Sequence, residues 1–331
     1  MSTFEPAPGP TSLQLVRDRW YVILESHEIP AGRPLGVTRL GLPLVLWRDP
    51  GGVLRCTSDR CPHRGAALSL GRVVDGHVEC PFHGFRFDGR GACMLIPANG
   101  VDGPIPSAMR TPAWPIREAN GFVWLWYGDT PSGGLAGLPD VPWFPEIDHS
   151  YVYASFADDW DTHYTRAVEN QLDFTHLPFV HARSIGKGVP HRLEVLTTVD
   201  GDHIRVTYDP ATYDAKGFFV ELLAPTLWRN RLSANVWAMI AFVPVDATHT
   251  RLYLRFYQSY VTLPGLGWLA SWASNQFNRH ILQQDKRVVL TQEPRQTHLQ
   301  MGEVLIPSDR PIIEWRRWLK AGIVEMGGEV G

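Results

Sequence analysis

Two short loops constrain this chain more than any other feature: Cys61-Pro62-His63-Arg64-Gly65 and Cys80-Pro81-Phe82-His83-Gly84. Each offers one thiol and one imidazole within a tight turn. Pro62 and Pro81 fix one dihedral, and Gly65 and Gly84 supply the left-handed ones that such turns require. A two-iron cluster that takes two thiolates on one iron and two imidazoles on the other needs this set of four donors. One cluster can form only if the fold brings the loops together. Residues 64–79 are long enough for a strand, a turn and a returning strand, and the 73–78 run reads as that hairpin, with Asp75-Gly76 at its turn.

A structural zinc site would accept the same donors. Zinc knuckles usually belong to small modules that need the metal to fold, whereas these loops lie in a strand-rich segment with apolar residues of its own. With a net charge of −3 and no basic run, the chain has no electrostatic footprint for nucleic acid. The remaining cysteines, Cys56 and Cys93, are poor candidates for a disulfide in a chain expected to be cytoplasmic. That location is the expectation from an N-terminus without a signal-peptide pattern and from apolar stretches, such as Val236–Val245, too short to span a bilayer.

At 331 residues and 44% hydrophobic content, the chain fits two domains better than one. The expected division is a leader over 1–18, an all-β domain over 19–130 carrying the two loops, and a second domain over 131–331. Strand-like runs at Tyr21–Glu25, Leu44–Trp47, Phe85–Phe87 and Phe122–Tyr127 are each closed by turn signals. A Pro- and Gly-rich stretch at 129–146 marks the boundary. Beyond it, helices are expected at about 157–177 and 266–293, with strands at 192–198, 203–208, 218–223, 236–244 and 250–260. Strands grouped between helices predict an α+β domain, an antiparallel sheet with helices packed on one face. A further helix is expected over Ile312–Ala321, with Trp315 and Trp318 as packing residues.

A second constellation lies where the first of those helices ends. Glu169, Asp173 and His176, spaced i, i+4, i+7, are expected on one helical face, with Pro178 stopping the helix and His181 folding back from the next turn. Two His and one carboxylate with open positions form the facial triad of non-haem Fe(II) oxygenases. Asp173, three residues before His176, is placed to orient its ring.

With both motifs in this order, the chain resembles the Rieske non-haem iron oxygenases, specifically their terminal oxygenase (alpha) subunit. The likeness covers nearly the whole length and includes Glu169-Asn170-x-x-Asp173-x-x-His176-x-x-x-x-His181. It implies a Rieske [2Fe-2S] cluster on Cys61, His63, Cys80 and His83, a mononuclear Fe(II) on His176 and His181, and Asp173 as the bridge between the centres, with Asn170 beside it in the catalytic set. It also implies O₂ as co-substrate, electrons from NAD(P)H through a separate reductase or ferredoxin, a helix-grip catalytic domain and a homotrimer. Where the family often has Tyr and Trp in the second loop, this chain has Phe82 and Phe85.

Asp285 is the expected third iron ligand. It would place an acid among Leu282, Val288, Val289 and Gln292 on one helical face, and a buried carboxylate is costly unless paired or bound to metal. The resemblance also places a ligand Asp before a basic and aliphatic run such as Lys286–Val289. Glu293 and Asp246 are the alternatives. Phe218, Phe219, Trp237, Met239 and Phe242 are candidates for an apolar pocket wall or for ordinary sheet core. The expected reaction is hydroxylation or oxidative demethylation of a small aromatic or cyclic substrate. The alternatives are ring cis-dihydroxylation and an electron-transfer or ligand-binding role without oxygenase activity.

Overall fold

The structure, a computed structural model, describes residues 13–132, 134–209, 217–263, 265–299 and 301–324. The chain divides into two compact units: Asp18–Val141, and Pro142 onward joined by residues 13–17. This differs from the expected boundary at 130/131. The Pro- and Gly-rich stretch is tied to the first unit, where Trp20 Nε1 donates to Pro139 O at 2.9 Å and Arg117 Nη2 to Leu135 O at 2.8 Å. The expected leader also divides. Residues 1–12 lie outside the described residues, while Val16 is buried in the core of the second unit.

The first unit is all β. β1 (Arg19–Glu25), β2 (Leu35–Arg39), β3 (Leu42–Arg48), β4 (Leu54–Ser58), β5 (Arg72–Val74), β6 (His77–Glu79), β7 (Arg86–Phe87), β8 (Cys93–Leu95), β9 (Ile116–Ala119) and β10 (Phe122–Tyr127) form three small sheets, ordered β1-β10-β9, β2-β3-β4 and β5-β6-β7-β8. The expected hairpin is β5–β6, with positive φ at both turn residues, Asp75 (50°) and Gly76 (82°), the mirror-image turn that matches strand twist. Trp47 Nε1 donates to Gly76 O at 3.0 Å and anchors the turn on a core of Val45, Leu68, Val78, Phe85 and Phe87. All four cysteines are free, so Cys56 and Cys93 form no disulfide.

The second unit is α+β. One antiparallel sheet runs β11-β17-β16-β15-β14-β13-β12, built from β11 (Val152–Trp160), β12 (Val195–Asp200), β13 (His203–Tyr208), β14 (Phe219–Leu223), β15 (Leu227–Ser233), β16 (Val236–Pro244) and β17 (Thr250–Gln258). Helices α1 (Tyr164–Leu172), α2 (Leu177–Val180), α3 (Leu266–Val289) and α4 (Arg310–Val324) complete it. Side chains alternate across the sheet. The register therefore builds two kinds of row. Ile204, Leu222, Trp228, Ile240 and Leu254 lie across from one another and pack on Ala167, Leu282 and Trp315 of the helices. The row one residue along, Arg205-Glu221-Arg229-Met239-Arg255, faces the other way.

Three expectations are corrected here. Residues 157–160 are the end of β11, paired with β17, and the helix begins only at Tyr164, after His163 accepts a capping hydrogen bond from Thr165 N. Pairing with a long neighbouring strand outweighed local helical preference. β15 was not expected as a strand, because its polar run Arg229-Asn230-Arg231 hides its alternation. The last helix turn expected around Gln292 is absent; α3 stops at Val289, Gln292 is exposed, and Val288 is 38% exposed. The other expected strands fall within a few residues of β12, β13, β14, β16 and β17. Among the described residues, no helix is long and apolar enough to cross a membrane.

Glu169 does not share a face with Asp173 and His176 as expected. Asp173 caps α1 in an extended conformation (φ −85°, ψ 132°), so the chain has left the helix before His176. Glu169 instead turns into a buried ion network. Arg316 Nε of α4 reaches Glu169 Oε1 at 2.6 Å, Arg166 Nη1 reaches Glu169 Oε2 at 3.3 Å, and Glu303 accepts from both arginines at 2.8 Å. Burial drives the Glu169 carboxyl above its ordinary range despite the two guanidinium groups. Replacing Arg316 by Leu leaves that carboxylate without its closest partner, so R316L should lose roughly 3–5 kcal/mol in denaturant unfolding. Adding E169Q should recover part of the loss.

Candidate functional site

The two Cys/His loops share one backbone design. Cys61 N–H donates to Ala66 O at 2.9 Å and Gly65 N–H to Cys61 O at 2.8 Å; five residues of the second loop repeat this with Cys80 N–H to Phe85 O at 2.8 Å and Gly84 N–H to Cys80 O at 3.0 Å. Gly65 (φ 74°) and Gly84 (φ 72°) close the turns in the left-handed region. The thiols point inward, at 3% and 2% exposure, while both imidazoles are exposed. The His63 and His83 rings stand 4.8 Å apart, with His63 stacked on Phe85 at 4.9 Å. Burial pushes the Cys61 thiol up to about 11, with Cys80 adding to the rise and backbone N–H groups of His63 and Arg64 opposing it. These N–H groups aim at sulfur and are placed to stabilise a thiolate once a metal cluster replaces the proton.

Phe82 and Phe85 differ in role. Phe85 is buried under His63, whereas Phe82 is 56% exposed, lying 3.9 Å from the His83 ring with the Arg64 guanidinium over it at 5.4 Å.

In the second unit, three donors expected from the sequence converge. His176 lies immediately before α2 and His181 immediately after it, so a single short helix sets their separation. Asp285 projects from α3, 4% exposed. Its Oδ1 stands 2.9 Å from His181 Nε2 and 3.4 Å from His176 Nε2, and one ligand atom from each residue lies within 4.8 Å of the others. Yet Asp285 Oδ1 is buried and accepts no hydrogen bond of good geometry. Three lone-pair donors aimed at one point, one of them an orphaned buried oxygen, fit a divalent metal. Glu293 and Asp246 stand apart from it. Glu293 is exposed beside Arg295, and Asp246 is held by Thr248 and His249.

Neighbouring groups orient the donors. His181 Nδ1 is 2.7 Å from Gln284 Oε1, so the ring proton sits on Nδ1 and Nε2 is free to ligate. Gln284 also accepts from Ser184 Oγ at 3.2 Å. Asp173 Oδ1 accepts from Thr175 N at 2.7 Å and Thr175 Oγ1 at 2.8 Å, leaving Oδ2 3.4 Å from His176 Nδ1. Burial alone would lower the His176 ring, but Asp173 and Asp285 outweigh it and raise it to about 9. For Asp285, burial opposes ionisation and the two imidazoles prevail, holding the carboxyl below its ordinary range.

A cavity of about 360 Å³ opens above these three residues. Phe174, Tyr208, Phe218 and Trp228 supply its aromatic wall, and Asn170, Gln171, Asn230 and Asn278 its carboxamides, with Gln171 Nε2 donating to Asp285 Oδ2 at 3.5 Å. Of the five pocket candidates, only Phe218 reaches it. Phe219 and Trp237 pair with each other under Arg229 on the other face of the sheet, while Met239 and Phe242 are buried core. A shift of one residue along a strand decides the face. Gln284, Asn230 and Asn278 were missed. Asn278 was within reach of sequence reasoning, since it precedes Asp285 by two helical turns.

Residues 19–112 match the Rieske [2Fe-2S] domain, and residues 160–325, half of the chain, match the Vanillate O-demethylase oxygenase C-terminal domain. The chain is 35% identical over 182 residues to the oxygenase component of dicamba O-demethylase from Stenotrophomonas maltophilia, covering 55% of this chain and 52% of that protein. It is 32% identical over 230 residues to a vanillate O-demethylase oxygenase subunit from Pseudomonas sp. (strain HR199 / DSM 7063), covering 70% of this chain and 60% of that protein. These matches thus span between half and two thirds of the relatives' lengths. The solved structure of Pseudomonas putida CBB5 NdmA superposes with a TM-score of 0.79 at 25% identity, over 94% of this chain and 92% of that one. A cluster domain of the Rieske type followed by this C-terminal domain places the chain in the Rieske non-haem iron oxygenases, among their terminal oxygenase subunits.

Proposed function

We propose that the protein is the oxygen-activating component of a multi-component monooxygenase, which hydroxylates or oxidatively demethylates a small aromatic or heterocyclic substrate. The observation that carries this reading is the convergence of His176, His181 and Asp285 at the floor of a mostly apolar cavity. Relatives named as O-demethylases support demethylation over ring dihydroxylation. In this reading Cys61, Cys80, His63 and His83 hold the [2Fe-2S] cluster, and His176, His181 and Asp285 hold a mononuclear iron. When bound, the two centres supply single electrons and the activation of O₂.

The protein's own residues do the rest. Gln284 and Asp173 fix the two imidazoles, and the aromatic wall orients the substrate and excludes water. Asn170 lines the same cavity beside Asp173, in keeping with its expected place in the catalytic set. Asp173, locked by Thr175 on one oxygen, keeps the other for His176 and, in the family's arrangement, for a cluster histidine of a neighbouring subunit. That arrangement needs a homotrimer. Electrons would come from NAD(P)H through a separate reductase or ferredoxin, and the cytoplasm is the proposed location.

Three measurements test this reading. Metal and sulfide analysis with EPR of the anaerobically reduced protein should give a rhombic cluster signal and a separate mononuclear iron. Asp285→Ala should lose that iron and keep the cluster signal, while Cys80→Ser should do the reverse; loss of neither metal would refute both ligand assignments. Asp173→Asn should load both centres but slow substrate-dependent oxygen consumption by about 10- to 100-fold, because the charged acceptor is gone and the shape is kept. Normal turnover would refute the bridging role. In the metal-free protein, His176 holds its proton up to about pH 9, so metal uptake near neutrality must displace it. Fe(II) titrations should therefore show proton release and an affinity that rises with pH up to about 9; a pH-independent affinity would count against His176 as a ligand.

A further inference from the structure

One end of α3 carries its large apolar side chains on the outside. Tyr260 and Leu263 in the loop before the helix, and Leu266, Trp268, Leu269 and Trp272 in its first turns, are between 43% and 65% exposed. Trp268 and Trp272 stack with ring centroids 6.4 Å apart, and Leu266, Leu269 and Trp272 follow at a spacing of three, which sets them side by side. None of the six lines the cavity. Single exposed apolar residues are ordinary, whereas a contiguous group of this size marks a contact surface.

Hydrogen bonds fix this orientation. The side of α3 toward the sheet consists here of Gly267, Ser271 and Asn275, all buried. Ser271 Oγ donates to Val152 O at 3.3 Å and Asn275 Nδ2 to Ala154 O at 3.0 Å, so small and polar side chains grip strand backbone where large apolar ones usually pack. A Cβ at Gly267 would lie 2.3 Å from Val261 O, so only glycine lets the loop come this close to the helix. Gln258, buried at the end of β17, accepts from Tyr260 N at 3.0 Å and Val261 N at 2.8 Å and donates to Val261 O at 2.8 Å. The exposed side chains thus stand on a braced loop and helix.

Charge identifies what covers them. Residues 256–278, 23 in a row, carry no charge, and no acid occurs between Asp246 and Asp285. Further along α3 the exposed residues turn cationic: Arg279 and Arg287 have no carboxylate partner among the described residues, and His280 is exposed beside them. The acids of the adjoining edge strand β11 are already engaged, Asp158 by Lys286 at 3.0 Å and Asp159 by Arg251 at 2.8 Å. Trp, Tyr and Leu at one end of a helix, with unneutralised cations along it, match a water–lipid interface, where rings sit at headgroup depth and cations meet phosphates. We propose that this end of the second unit docks on an anionic lipid surface, with the six side chains inserted shallowly and α3 lying on the bilayer rather than spanning it. A second copy of the chain is a poorer complement, since two such faces would set Arg279 against a segment without an acid.

The test is flotation of the metal-loaded protein with vesicles of phosphatidylcholine alone or with about one third phosphatidylglycerol. The anionic vesicles should bind it at least about tenfold more tightly, and raising the salt to about 0.5 M should weaken that binding severalfold. Trp268→Ser combined with Trp272→Ser should cut the affinity by about tenfold or more, and Arg279→Glu by about fivefold. Leu70→Ser, which removes a more exposed apolar side chain from the first unit, should change nothing. Thermal unfolding should be the same for all variants, because the side chains removed are exposed. No binding to anionic vesicles, or binding that the tryptophan pair leaves unaltered, would overturn the proposal. So would self-association in sedimentation that the same pair abolishes, which would assign the face to a second copy. No turnover is read, so failure here leaves the oxygenase reading untouched.

Discussion

One buried carboxylate organises the second unit. Asp285 sits on the inward face of α3 between Leu282 and Val289, where an unpaired acid would be strongly destabilising. The cost is offset in part by His176 and His181, one before and one after α2, whose Nε2 atoms stand beside the same oxygen, and by Gln171, whose Nε2 donates to the other oxygen at 3.5 Å. A short helix flanked by two imidazoles, a long helix carrying an acid, and a sheet that supplies the cavity wall are thus held to one geometry. In this structure that geometry is kept by ion pairing with the protonated His176, and a metal bound here would replace that proton. Positive charge is welcome at this point in either state.

The supports are graded by burial. Gln284 touches His181 directly and sets its tautomer, and Asp173, itself pinned by Thr175, faces His176. Behind them, Glu169, Glu303, Arg166 and Arg316 tie α1 and α4 together by charge, beside the apolar packing of Tyr164 and Ala167 with Trp315. Such buried networks are exacting: complete, they hold one arrangement, and with a member missing they leave a stranded charge.

In the first unit the same logic runs through backbone hydrogen bonds. The two Cys/His turns are closed by matching pairs of N–H to carbonyl bonds, and each requires glycine at a positive φ. Thiols buried and imidazoles exposed is the asymmetry expected if electrons are exchanged through the histidine side of a cluster.

Much of this was legible in the sequence, because candidate metal-ligating residues at short separations are local. Cys61 and His63, Cys80 and His83, and His176 and His181 each fall within one turn or one short helix, so their meeting is set by chain geometry and appears as a motif. The all-β unit, its hairpin at Asp75-Gly76, and the α+β class of the second unit followed from turn residues and periodicity. Tertiary structure alone decided what depends on pairing between distant segments. Residues 157–160 became strand because β17 offered a partner, and Phe218 reached the cavity while Phe219 turned away, because sheet register is set by neighbours and changes sign with each residue. Asn230 could not be foreseen as a cavity residue. Its face depends on how β15 aligns with β14 and β16, and that alignment is fixed by the packed sheet as a whole.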